Sequence, residues 1–504
     1  MFRTLYTGAL GMKTISTGMQ VVSNNIANVN TVGFKRCMMD YEDTVSQWAG
    51  IGNSFITSVN QVGVGSVCSD IRTLHLQEAF ESSNTVTDMA INGKGFFGVT
   101  DGKNTYYTRA GNFRFTKEGK LVDPNQNQLI GRPIVNGVEG APQPIALDYS
   151  EKGVGFMPPR ATTSILNIMN IGVTTNNYDD PVSPCFAMLS NYDATQPSIL
   201  GNAGYTQPIQ VYDSNGVMRV INMAVDSVQS VNGQKIYEYV LYANPDPAPD
   251  PAEDDHELAA NGSGLLMAGT LTFDSSGQLV NMSAFVPPAE GDAADLSIWT
   301  QAPLSESGVP QFTTQFEGAP AAQTIAFDLG LSGSGWADGA TNPAEVGTSP
   351  FNNLPGLSDA VRSARVTTGY SGSSSSLNLH QDGYASGSLM NLEIKEDGII
   401  RGRYSNGQSE DIFRMSLFRF ISQDGLRREG SNLYSATAES GAAEEGVPGT
   451  ENFGTVHGNA IEMSNVDLAR EFVHMIMTQR GFQANSKSMM TADSMLQKAM
   501  ELKR

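Results

Sequence analysis

Long apolar runs are missing from this 504-residue chain. No stretch of about 18 or more hydrophobic residues occurs, so a membrane-spanning helix is not expected. Cysteine is nearly absent too. Cys37, Cys68 and Cys185 are too few for a disulfide framework and show no C-x-x-C spacing, so they read as free thiols rather than bridges or zinc ligands. His75, His256, His380, His457 and His474 form no i, i+4 pair, and no G-x-S-x-G elbow occurs. With no metal site, cofactor site or nucleophile motif in view, an enzyme is not expected. Positive charge is also short: 31 Lys and Arg against 52 Asp and Glu give a net charge of −21. Such a surface repels nucleic acid and anionic membranes, which argues against both as partners. A cleaved secretory leader is not expected either, because Lys13, Thr14, Ser16, Thr17 and Gln20 interrupt every candidate apolar core near the N-terminus.

What is present is a long chain rich in turn formers. Its length calls for roughly two to four domains. Fifty-two glycines, with Ser, Thr, Asn and Asp crowded between short apolar runs, favour strands and turns through the middle. Charge is distributed unevenly. Residues 1–36 hold Arg3, Lys13, Lys35 and Arg36 and no acid, and residues 464–504 hold six basic against four acidic side chains. The ends thus carry an excess of +6 and leave −27 on everything between them.

Both ends have the periodicity of helices. Leu5, Met12, Met19 and Ile26 recur every seven residues, and Ile15, Val22 and Val29 form a second row offset by three. That is a heptad seam, and the short neighbours Ala9, Gly11 and Gly18 suit a crowded multi-helix wall better than a two-stranded zipper. At the other end Ser464 and Asp467 have the S-x-x-D form of a capping box. An apolar stripe of Leu468, Phe472, Met475, Ile476, Phe482, Met489, Ala492, Leu496 and Ala499 follows at spacings of three and four, with a few longer intervals. Gln479, Asn485 and Ser486 interrupt the stripe, where polar groups fix register against a partner. A helix of this kind is unstable alone and calls for something to pack against.

Between the ends, Asn92-Gly93, Asp101-Gly102, Asn136-Gly137, Asn215-Gly216, Asn232-Gly233, Asp382-Gly383, Asp397-Gly398, Asn406-Gly407 and Asp424-Gly425 read as hairpin turns. Tyr237, Tyr239 and Leu241 alternate around Glu238 as a strand with one buried face. Residues 244–258 are Pro-rich and acidic and predict an exposed extended loop, and residues 330–356 predict a second loose segment. Two motifs fail on context. Residues 93–98 satisfy G-x-G-x-x-G, but a turn and another strand follow where dinucleotide binding needs a helix. Asp123, Asn125 and Asn127 begin like a calcium loop, but Gln128 and Ile134 stand where Gly and Glu are required.

Four segments resemble the flagellar rod and hook axial protein family. Residues 24–36, NNIANVNTVGFKR, are similar to its N-terminal signature, with Asn24, Asn25, Asn28, Gly33 and Phe34 at motif positions. Residues 93–131 look like its first β-segment. Residues 464–496 are similar to its C-terminal consensus, with Gln479, Arg480, Gln483 and Asn485 at motif positions. Residues 380–441 are similar to the segment that precedes the C-terminal helix in the hook branch, which points to that branch.

The resemblance implies a mainly β multidomain protein whose N- and C-terminal helices pair as a coiled-coil-like assembly domain. Residues 1–32 with 464–504 would form that domain, 33–75 a connecting segment, 76–155 with 365–463 an inner β-domain, and 156–364 the outer β-domain or domains. The two apolar rows would then be assembly seams: Leu5, Met12, Ile15, Met19, Val22, Ile26 and Val29 at one end, and Leu468, Phe472, Met475, Ile476, Phe482, Met489 and Leu496 at the other. Implied, too, are a homopolymer, a curved flexible tube enclosing the export channel, and torque transfer as a universal joint. Expected partners are further copies of the chain, the distal rod, the hook cap, the hook–filament junction proteins and the flagellar export apparatus. The expected location is the extracellular hook, without insertion into a membrane. The competing readings are a distal rod protein of the same family and an extracellular β-rich adhesin or carbohydrate-active protein.

Overall fold

The computed structural model describes residues 2–501 apart from 46, 49–60, 136, 149–152, 154, 193–196, 229, 231–232, 244–263, 289–294, 317, 349–350, 352 and 451. The acidic Pro-rich stretch 244–258 and most of the Gly-rich stretch 50–67 therefore lie outside the described residues. The chain folds as two compact units, residues 1–156 with 388–504, and residues 157–387.

In the first unit the chain ends form two long helices, Phe2–Ala27 and Leu468–Glu501. Val29 falls in the turns beyond the first helix. The second helix begins differently from the capping-box reading. Asp467 itself is the cap, its carboxylate accepting from the Ala469 and Arg470 N–H groups at 2.8 and 3.2 Å. Ser464 is buried upstream and its hydroxyl meets no partner among the described residues. The segment 33–75 is more than a connection. Cys37–Asp43 and Ser66–Thr73 pair as an antiparallel ribbon that packs on the N-terminal helix, where the Thr14 hydroxyl donates to the Ser66 carbonyl at 2.7 Å.

The β-part of this unit is an antiparallel sheet with spatial order Ile399–Tyr404, Ser409–Met415, Gln128–Val135, Phe96–Thr100, Thr105–Thr108, Leu433–Ser435 and Arg427–Gly430. Phe97, Val99, Leu129, Ile400, Met415 and Leu417 form its core. Asp101-Gly102, Asp397-Gly398 and Asn406-Gly407 are tight hairpins with left-handed glycines, as read from the sequence. Asn92-Gly93 is not: Met89–Asn92 pairs with Thr455–Gly458, so the turn passes the chain from one sheet to another. The Asp123 carboxylate is consumed by its own turn, accepting from the Asn125 and Asn127 backbones at 2.9 and 2.8 Å.

The second unit has a sheet of Tyr205–Tyr212, Met218–Ser227, Lys235–Ala243 and Leu265–Phe273 in that order, and a second sheet of Gln311–Thr314, Gln323–Asp328, Ser164–Asn170 and Ser375–Gln381. Ser375–Gln381 pairs antiparallel with Ser164–Asn170, so residues 365–387 belong with this unit rather than with the inner β-domain. Asp382 is no hairpin residue; its carboxylate accepts from the Thr163 and Ser164 N–H groups and pairs with Arg160 at 3.2 Å.

One strand departs from the alternating pattern. Tyr237, Tyr239 and Leu241 line one core, as expected, but Glu238 is buried on the opposite face. Both faces of the strand are covered, because Cys185–Leu189, Leu200, Ala340, Val346 and Phe351 build a second core there. The described residues of the segment 330–356 are accordingly packed on this unit, with the Trp336 indole donating to the Ala302 carbonyl at 2.7 Å. Glu238 accepts from the Met188 and Leu189 N–H groups, each at 2.8 Å. Burial pushes its carboxyl up to about 8, against those two hydrogen bonds.

Candidate assembly site

The two terminal helices run antiparallel against each other. Asn25 meets Glu471, Ile15 lies over Gly481, and Gly8 faces Met489. Glycine sets the spacing: a Cβ on Gly11 would stand 2.8 Å from the Asn485 amide nitrogen. Asn485 is thus a polar group inside the seam, whereas Gln479, Arg480 and Gln483 are exposed.

Leu5, Met12, Ile15, Met19, Val22, Ile26 and Val29 are each partly buried. The C-terminal row divides. Met475, Met489 and Leu496 are partly buried, and Ala492 is fully so, while Leu468, Phe472, Ile476 and Phe482 are exposed. The helix therefore carries two faces. The heptad line Leu468, Met475, Phe482, Met489 and Leu496 lies on the side of the N-terminal helix, with Leu468 and Phe482 still accessible, and the opposite side, with Phe472, Val473, Ile476, Met477, Met490 and Met495, stays open to solvent.

Below the helix pair sits a cluster of buried charge. Lys35 Nζ lies 2.6 Å from Glu462 Oε1 with both side chains wholly inaccessible, and donates also to the Leu76 carbonyl at 2.6 Å. Arg109 Nη1 stands 3.5 Å from the other Glu462 oxygen, and Arg109 donates to the Ile91 and Gly93 carbonyls at 3.2 and 2.6 Å. Burial holds Lys35 below the usual ammonium range, with Glu462 opposing that shift. His75 packs edge-on against Phe96 and Tyr434 beside these cations. Burial first, then Arg109, Lys35 and Arg428, press its imidazole down to about 4.

The motif residues organise the crossing of the chain ends. Asn25 is buried; its amide donates to the Cys37 carbonyl at 2.8 Å and to Glu471 at 3.3 Å, and its oxygen accepts from the Cys37 N–H at 2.9 Å. Arg36 pairs with Glu471 at 3.1 Å, and its N–H donates to Asn465 at 2.7 Å. Gly33 has φ +66°, donates to the Glu462 carbonyl at 2.8 Å, and is packed so closely that a Cβ would stand 2.6 Å from the Ala110 nitrogen. Phe34 is buried with the Arg428 guanidinium over its ring, while Asn28 braces the first turn after the helix and Asn24 is exposed. Sequence reasoning passed over Glu462, Glu471, Arg109 and Arg428. A pointer was available in the acid-free N-terminal segment, whose Lys35 and Arg36 find their counter-charges in acids near the other terminus.

Family models match across these elements. One described as flagella basal body rod protein covers residues 5–35, flagellar hook protein FlgE/F/G D1 domain covers 90–156, flagellar basal body protein FlaE D2 domain covers 187–384, and flagellar basal body rod FlgEFG protein C-terminal covers 457–502. The flagellar hook protein FlgE of Treponema pallidum is 30% identical over the whole of both chains. That decides the matter. The chain belongs to the flagellar hook protein FlgE family. The FlgE of Borreliella burgdorferi, 29% identical, likewise spans both chains completely. The rod protein FlgG of Bacillus subtilis is 42% identical, but over only 24% of this chain and 48% of its own. The rod likeness is confined to shared parts; the hook likeness is complete. The protein is a structural subunit of the bacterial flagellar hook, mainly β with paired terminal helices, and this family self-polymerises within the flagellum alongside other rod and hook components.

Proposed function

We propose that the subunit polymerises into a curved, flexible tube whose wall is built from the terminal helix pairs, and that this tube encloses the export channel and acts as a universal joint passing torque from rod to filament. The observation that carries this reading is the divided C-terminal helix. One face is used within the chain, and a second, with Phe472, Val473, Ile476 and Met477 exposed, has no partner of its own among the described residues. An apolar face of that length on a soluble subunit calls for burial against neighbours. Asymmetric contacts of this type, repeated without ring closure, generate a helix. Leu5, Met12, Ile15, Met19, Val22, Ile26 and Val29, with Met475, Met489 and Leu496, would then set the shape of each helix pair, and Leu468, Phe472, Ile476 and Phe482 would hold pairs together.

On the same reading the subunit meets the distal rod at one end and the hook cap and hook–filament junction proteins at the other. It reaches the extracellular hook through the flagellar export apparatus, and it works as a structural element rather than as an enzyme. Electron microscopy of the purified, polymerised protein tests the proposal. Curved tubes are expected; straight rigid tubes would favour a rod-like element, and monomers under all conditions would overturn it.

A further inference from the structure

The exposed stripe of the C-terminal helix changes chemistry along its length. Its first half shows Phe472, Val473 and Ile476 together with Met477, whereas among the described residues from 489 onward every large exposed apolar side chain is a methionine. Met477, Met490, Met495 and Met500 are 55%, 61%, 57% and 73% exposed, while Met89, Met169, Met223, Met267 and Met282 are sealed in the β-cores. A thioether is flexible enough to fit irregular contacts and is also the apolar group most readily turned polar.

We propose that the exposed methionines of this helix form a peroxide-sensitive modification surface: oxidation of Met477, Met490, Met495 and Met500 stops a free subunit from joining the polymer, and incorporation shields the same sulfurs. The inference rests on the assembly reading above. In each step a sulfur lone pair attacks one oxygen of hydrogen peroxide, the O–O bond breaks, an S–O bond forms and water leaves. Sulfur is oxidised by two electrons and the peroxide is reduced. The sulfoxide oxygen is a strong acceptor, and an apolar helix contact provides no donor for it, so each modified residue must be desolvated without compensation. Several such residues on one face weaken every contact that the face makes.

The test treats monomer with hydrogen peroxide, maps sulfoxides by peptide mass spectrometry and measures polymerisation by sedimentation. Treated wild type should carry sulfoxide at the four positions and polymerise at least about tenfold less, the loss of one factor of ten per 1.4 kcal/mol of contact energy. The variant Met477→Leu, Met490→Leu, Met495→Leu, Met500→Leu, which keeps size and polarity, should polymerise before and after treatment, although Met38, Met218, Met390 and Met463 remain exposed in it. Assembled tubes should take up little sulfoxide at these four sites. Equal assembly of sulfoxide-bearing wild type, or equal sensitivity of the leucine variant, would overturn the proposal. Ile476→Asp breaks the same face without sulfur chemistry. If it polymerises normally, the face is not a contact and the underlying reading falls as well; if it fails while oxidised wild type assembles, the redox inference alone falls.

Discussion

Glu462 holds its carboxylate 2.6 Å from the ammonium of Lys35, a residue 427 positions away in the chain, and neither side chain touches water. The same carboxylate is the counter-charge of buried Arg109. Removing it leaves two buried cations sharing only carbonyl partners, which costs far more than the intact pair contributes. Glu462→Gln should therefore destabilise the first unit by about 3–5 kcal/mol in urea denaturation. The double variant Lys35→Met, Glu462→Gln should recover part of that loss. Equal stabilities for wild type and Glu462→Gln would show that the buried carboxylate adds nothing to the folded state.

Gly33 is a second point of failure. Its positive φ costs a non-glycine residue about 1 kcal/mol, and the added Cβ would meet backbone atoms of Arg109 and Ala110, which cannot rotate away. Gly33→Ala should cost roughly 2 kcal/mol or more and expose the Gly33 N–H, which donates to Glu462, to exchange. A melting temperature unchanged from wild type would contradict that packing.

Acid should loosen the first unit through His75. Its folded value of about 4 lies below the ordinary 6.5, so the unfolded chain binds the proton more tightly. The stability that the neutral imidazole contributes is fully present above pH 6.5 and is lost as pH falls towards 4, on the order of 2 kcal/mol after allowing for its partial exposure. His75→Phe should flatten this part of the pH profile, because the ring contacts with Phe96 and Tyr434 survive the change.

Glu238 gives the second unit the opposite dependence. Its carboxyl is raised to about 8, so the folded state holds the proton more tightly. The associated stability is complete below the ordinary value of 4.5 and is lost as pH rises from there to about 8. Asp226 lies directly across the ladder from Glu238 and is raised by burial as well, which adds to the trend. Calorimetry between pH 5 and 8 should show the transition of this unit moving down with pH, and Glu238→Gln should remove most of the movement. A transition moving upward in wild type would reverse the assignment.

Sequence periodicity made both terminal helices legible, because apolar side chains spaced by three and four residues fall on a single face only when the backbone is helical. Turn dipeptides located Asp101-Gly102 and Asn406-Gly407 for a similarly local reason. What stayed hidden depended on distant partners. Leu468 and Met475 share one line of the helix, yet Leu468 is exposed and Met475 partly buried, because Glu471 already meets Asn25 and the N-terminal helix ends at Ala27, so the seam runs out before Leu468. The second core around Glu238 was hidden because nothing local announces that Cys185–Leu189 and Leu200 pack over its strand. Glu462 and Glu471 were passed over because only the return of the chain end beside Lys35 and Arg36 gives them counter-charges.

Asn25 is where the helix pair and the ribbon meet, and the order of its variants is itself diagnostic. The side-chain amide satisfies both backbone groups of Cys37 and points its second hydrogen at the Glu471 carboxylate. Asn25→Ala leaves the Cys37 N–H and C=O buried without partners, a loss of about 1–3 kcal/mol for each group left unmade. Asn25→Asp keeps the shape and the bond from the Cys37 N–H, but replaces the donor with an oxygen that faces a carbonyl and a second carboxylate. Two acceptors and a like charge are then forced together in a site closed to water, and that costs more than leaving a small void. At neutral pH hydrogen exchange of the N-terminal helix should therefore be faster in Asn25→Asp than in Asn25→Ala, and both faster than in wild type. Protonating the introduced carboxyl restores a donor, so the gap between the two variants should narrow as pH falls below about 5. An alanine variant that exchanges faster than the aspartate at neutral pH would mean that the Glu471 carboxylate does not face Asn25.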